Sequence, residues 1–132
     1  MKRWLLPLFV GTVFLAAACG GGDSDGAGTS GTPAGKSGHI TVKMLDNSFK
    51  PAQISVKAGT TVTFDLPNVG ILPHNMHIAS QRGVYRESPW TSEIVNGGKT
   101  TSLKWDVPAE TGTYLFRCDV HEVEMVGKIT VE

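Results

Sequence analysis

From residue 39 onward, apolar and polar positions alternate in short runs. Ile40-Thr-Val42-Lys-Met44, Ile54-Ser-Val56, Val62-Thr-Phe64-Asp-Leu66 and Tyr114-Leu-Phe116-Arg-Cys118 each put every second side chain on an apolar face. Period two with β-branched and aromatic enrichment marks half-buried strands. Further strands fit Thr101–Val107, Gly112–Cys118 and Gly127–Val131, and turn formers separate the runs at Asn47-Ser48, Ala58-Gly59, Pro67-Asn68, Asn96-Gly97-Gly98, Pro108 and Gly112. The stretch Gln81–Ile94, with Arg82, Gly83, Pro89 and Trp90, reads as an irregular connection or a short hairpin. No segment has the pattern of an amphipathic helix, and no repeat is present. Seven or eight short strands predict an all-β fold, a Greek-key β-sandwich or small barrel.

The first 38 residues follow a different pattern. Met1-Lys2-Arg3 is basic, and Trp4–Ala18 is an apolar run of 15 residues. That is short of the roughly 20 residues a bilayer span needs, and it fits the apolar region of an export signal. The run ends Leu15-Ala-Ala-Ala-Cys19, followed by three glycines. Small residues before such a Cys resemble a bacterial lipoprotein signal, with Leu15 four rather than the usual three residues ahead. Residues 1–18 are therefore read as the signal and Cys19 as the lipid-attachment residue. Residues 19–38 are almost free of apolar side chains, so they read as a flexible tether. A Gly/Ser-rich coil of this length reaches roughly 25 Å. Residues 39–132 form the one expected domain.

Charge and cysteine content narrow the function. From Gly38 on there are nine Lys/Arg and ten Asp/Glu, a net charge of −1 with His neutral. No basic surface points to nucleic acid. With Cys19 lipidated, Cys118 has no cysteine to pair with, and a lone thiol in an exported domain is a liability unless it is used.

Cys118-Asp-Val-His121-Glu-Val-Glu-Met125 places a thiol, an imidazole and a thioether within eight residues, between two strand-like runs. Upstream, Pro73-His74-Asn75 opens another apolar run. Taken singly, Met125 reads as a core residue, His121 as a surface histidine and Cys118 as an inert buried thiol. Together, soft sulfur donors with imidazole select copper, and two His plus one Cys with a weak axial Met describe a blue-copper electron-transfer centre. Zinc prefers four Cys/His ligands or a carboxylate in the set. If His74 faces the metal, period two turns His77 the other way. His39 reads as a surface residue.

These segments resemble the cupredoxins, the family of plastocyanin, azurin and amicyanin. The matching pieces are Phe49-Lys-Pro51, Ile54-Ser-Val56-Lys-Ala-Gly59, Pro73-His74-Asn75, Gly112–Cys118, His121, Met125 and Gly127–Val131. The resemblance implies one type 1 copper per chain, with His74 and His121 as imidazole ligands, Cys118 as the thiolate and Met125 as the axial ligand. Around it, the Pro73 carbonyl would approach weakly, and Asn75 would tie its loop to Asp119, where cupredoxins usually carry a small hydroxyl-bearing residue. The implied function is a one-electron carrier, not an enzyme, at the outer face of a bacterial membrane. It would be a monomer serving redox protein partners of cytochrome or copper-oxidase type. A copper-binding or delivery lipoprotein is the alternative, although it would favour Met- and His-rich tracts, which the sequence lacks. A two-copper centre would need a second loop Cys, and position 122 is Glu.

Overall fold

A computed structural model describes residues 38–132 except Arg82. The expected signal, Cys19 and all of the tether but Gly38 lie outside the described residues. Among the described residues there are nine strands and no helix. They are β1 Gly38–Thr41, β2 Lys43–Leu45, β3 Ser48–Lys50, β4 Gln53–Val56, β5 Thr61–Pro67, β6 His77–Ile78, β7 Thr100–Asp106, β8 Gly112–Arg117 and β9 Val126–Val131.

One sheet has the order β1-β5-β7, the other β4-β9-β8-β6, and β2-β3 forms a separate hairpin. The pairs β1/β5 and β4/β9 are parallel, while β5/β7, β6/β8 and β8/β9 are antiparallel. The alternation read from the sequence is the alternation of burial. In β5, Val62, Phe64 and Leu66 are buried between partly exposed neighbours; in β8, Tyr114 and Phe116 are. These inward faces meet in one core, where Trp105 of β7 packs edge-on against Tyr114 of β8 and Phe49 of β3 against Phe116 of β8. The result is the expected β-sandwich.

Most strand ends shift by one residue from the sequence reading; the larger differences are β3, whose Ser48 reads as a turn former, and the first strand. Ile40–Met44 reads as one strand but divides at Val42. Its first part pairs with β5, and its second turns into a two-residue hairpin through Asp46-Asn47. Val42 and Met44 both stay buried, so the period continues while the hydrogen-bond partner changes.

Sheet register also fixes where a side chain is forbidden. Gly127 lies opposite Phe116 in the β8/β9 ladder. A Cβ on Gly127 would meet the Phe116 ring, with Cε1 at 2.6 Å, and the Ala52 carbonyl oxygen at 2.7 Å. Overpacking a well-filled core typically costs about 1–3 kcal/mol. Gly127→Ala should lower the stability of the metal-free protein by that amount in urea unfolding; an unchanged midpoint would contradict the packing.

Candidate metal centre

The centre is built at one end of the sandwich from two connections. The first runs from β5 to β6 and carries His74. Asn68, 1 % exposed, holds it together: its side-chain NH2 donates to the carbonyls of Leu72 and Val95, and its oxygen accepts the Gly70 N–H. His74 and Val95 exchange two backbone hydrogen bonds, and Ser92 receives and donates across from Met76. The second connection, from β8 to β9, carries Cys118, His121 and Met125. The Cys118 N–H donates to the Met125 carbonyl at 2.9 Å, and the Met125 N–H to the His121 carbonyl at 3.0 Å. The loop is thereby closed at its base. Arg117 and Glu122 pair through two 3.1 Å contacts across it.

These loops bring three donor atoms to one place. His74 Nδ1 lies 3.7 Å and His121 Nδ1 3.9 Å from Cys118 Sγ, and the two rings are 4.9 Å apart at their centroids. An ion bonded to nitrogen at about 2.0 Å and sulfur at about 2.3 Å, with donors about 120° apart, sets an N–S edge of about 3.7 Å. The separations fit one ion between the three donors. His74, Cys118 and Met125 are fully buried and His121 is partly exposed. Burial and then the neighbouring His121 push the His74 pKa below its ordinary value. A ring kept neutral is the form a metal needs. Two imidazoles and a thiolate, with a buried thioether on the same loop, form a donor set suited to copper.

The residues around the donors are more tightly joined than the sequence implied. As expected, the Asn75 amide donates to the Asp119 carboxylate, at 2.8 Å. Its oxygen also accepts the Asp119 N–H at 2.9 Å, so both ends of one side chain hold the Cys118 loop. His77 does face away from the donors, yet it is not a surface residue. Its Nδ1 lies 3.0 Å from Asp119, and its ring packs edge-on against Tyr85, over which Arg117 sits at 4.1 Å. Burial pushes the Asp119 carboxyl up, but hydrogen bonds from Asn75 and His77 and the charges of His77 and Arg117 bring it below its ordinary value. His39 is exposed, 2.9 Å from Asp65. Pro73 is exposed beside His74. Asp46 was not anticipated. It stands in the β2–β3 turn, a common place for Asp, and no sequence signal links it to residues 70–74.

The profile of the Cupredoxin-like domain family matches residues 11–131. Amicyanin-alpha of Methylorubrum extorquens is 35 % identical over 95 residues, covering 72 % of this chain and 73 % of that protein. Chloroplast plastocyanin of Hordeum vulgare is 41 % identical over 88 residues, 63 % of this chain and 54 % of that longer protein. Among solved structures, auracyanin A from Chloroflexus aurantiacus superposes with a TM-score of 0.59 at 23 % identity, over 71 % of this chain and 98 % of that one. Fold and donor cluster together define a cupredoxin, and the chain belongs to the cupredoxin-like domain family.

Asn75 is 2 % exposed and satisfies two groups of the neighbouring loop. A hydrogen bond to a charged group contributes about 1.5–3 kcal/mol. Asn75→Leu should therefore destabilise the metal-free protein by about 2–3 kcal/mol in urea, and Asp119→Ala by less, since it leaves the backbone bond to Asn75 in place. Equal stability of both variants with the parent would show that the two loops are held by other contacts.

Proposed function

We propose that the protein is a type 1 blue-copper one-electron carrier, with His74, Cys118, His121 and Met125 as the ligands of a single copper ion. The observation that carries this reading is the convergence of both Nδ1 atoms on the buried Cys118 thiol at 3.7 and 3.9 Å. Copper held there supplies a Cu(I)/Cu(II) couple. The two clamped loops would hold the donors in one arrangement for both oxidation states, with the Pro73 carbonyl as a weak additional contact. Asn75 and Asp119 keep the Cys118 loop in register.

The partly exposed His121 is the proposed electron port, because the other three ligands are sealed from solvent. On its own loop Val123 is 83 % exposed and Val120 is exposed, and just ahead of His74 Ile71 is 84 % exposed, with Leu72 and Pro73 exposed beside it. This apolar collar suits brief docking of redox proteins of cytochrome or copper-oxidase type, since such encounters are small and weak. Burial of three ligands favours a carrier over a copper-delivery protein, which must release its ion. The reading places the domain, a monomer, on the outer face of a bacterial membrane. Residues 1–18 would be the signal, Cys19 the lipid anchor, 19–38 the tether and 39–132 the copper domain.

Two experiments test this. Added Cu(II) should bind one per chain with an intense band near roughly 600 nm, the thiolate colour that the His2Cys set implies; Cys118→Ser should abolish it. A colourless complex, or a band that survives in the serine variant, would refute the ligand set. Produced in a bacterium, the full chain should carry acyl groups on Cys19 and partition into detergent, and Cys19→Ala should stop this. A mature chain that begins past Cys19 without lipid, read by mass spectrometry, would remove the anchor and leave the copper assignment standing.

A further inference from the structure

His74 has one ring nitrogen among the donors and the other stranded. Nδ1 faces Cys118 Sγ at 3.7 Å, while Nε2 is buried without a hydrogen-bond partner. A buried polar nitrogen left unpaired is costly. One carboxylate oxygen is close by: Asp46 Oδ1, 3.9 Å from Nε2 and about 1 Å beyond hydrogen-bond length.

Several features place Asp46 there. Its Oδ1 accepts the N–H groups of Ile71 at 2.6 Å and Leu72 at 3.1 Å, three and two residues before His74. These bonds tie the β2–β3 turn to the segment that carries the ligand. The approach depends on Gly70, because a Cβ there would collide with Oδ1 and come within 2.9 Å of the Asp46 nitrogen. The other oxygen, Oδ2, makes no hydrogen bond among the described residues, so the carboxylate has capacity for another donor. The Asp46 side chain is 43 % exposed.

We propose that Asp46 is a positioning residue of the metal centre, its carboxylate receiving the Nε2–H of His74 and so aiming the Nδ1 lone pair at the ion. Histidines that bind metals commonly donate their second N–H to a carboxylate or carbonyl, which fixes the tautomer and raises ligand basicity. In this chain that partner is a side chain from a separate hairpin. A carboxylate in that position favours the more highly charged oxidised ion, so its loss should raise the reduction potential. The role at the ion rests on His74 being a ligand, as proposed above; the bias on the ring does not, because it operates without metal.

The test uses the metal-free, 15N-labelled protein first. Long-range 1H–15N correlation should show His74 as the Nε2–H tautomer with a slowly exchanging proton. Asp46→Asn keeps an acceptor for Ile71 and Leu72 but loses the charge; Asp46→Ala loses both. Each should give mixed tautomers or faster proton exchange at His74. In the copper form, competition against a chelator should show Cu(II) affinity lower by about 10–100-fold in Asp46→Ala, with a smaller loss in Asp46→Asn and a raised potential in both. If Asp46→Asn matches the parent in tautomer, exchange and affinity while Asp46→Ala only melts earlier, Asp46 is a loop tie and the proposal falls. Parent-like His74 in both variants overturns it as well. A parent without the thiolate band would instead refute the ligand set, and the metal-free tautomer would still decide what Asp46 does to the ring.

Discussion

One amide side chain joins two loops that lie 44 residues apart in sequence. Asn75 donates to the Asp119 carboxylate and accepts the Asp119 N–H, so it fixes both the position and the orientation of the residue after Cys118. Asn75 itself follows His74. The Asn75–Asp119 pair therefore ties the residue after the thiol to the residue after the first imidazole. Without it, the two connections would lose their shortest link, and more of the chain entropy of ordering them would be left to the other contacts. The closure of the second loop by the Cys118–Met125 and Met125–His121 backbone bonds then brings the other two donors to the same point.

The clamp works because its charge is balanced. Asp119 is only partly exposed, and a carboxylate there without partners would be costly. The Asn75 amide, the His77 ring and the Arg117 guanidinium, 3.5 Å away, supply the compensation. Arg117 is itself held by Glu122 and by the Tyr85 ring. The group that orients the thiol is thus the middle of a chain of contacts running from the buried amide to the surface. Connected polar networks of this kind rigidify their surroundings, and here the Arg117 Nε meets Asp119 as an ion pair rather than as a hydrogen bond.

The fold was largely legible because burial in a sandwich is written as period two. Tyr114, Phe116 and Cys118 share a face in the sequence pattern and in the structure, and that pattern also aims Cys118 inward. What the pattern does not record is the partner across the ladder. The division at Val42 and the short β3, with Phe49 as its one apolar residue, were hidden for that reason. The donors were legible because Cys, His and Met occur together on one short loop. Asn75 and Asp119 followed from the family resemblance. His77 was half legible: alternation gives its face, but only the packed structure shows that this face meets Asp119 rather than water. Asp46 was not legible, since its role comes from a turn meeting a distant loop, and an Asp in a turn has an adequate local explanation.

The donors also divide by exposure, and the division follows from which loop segment carries each. His74 lies in a segment bridged to Val95 and beneath the β2–β3 turn, so its ring is covered on every side. Cys118 is the last inward position of the β8 alternation, and Met125 immediately precedes β9, so both inherit the burial of the core. His121 stands mid-loop, where neither strand dictates its face, and it is the donor that reaches the surface. The exposed valines at 120 and 123 flank it for the same reason. A loop of this length between two core strands can bury its ends but not its middle. On the β8–β9 loop, the two sealed donors and the one open edge are therefore consequences of a single geometric constraint, and the electron-carrier role proposed above would need both.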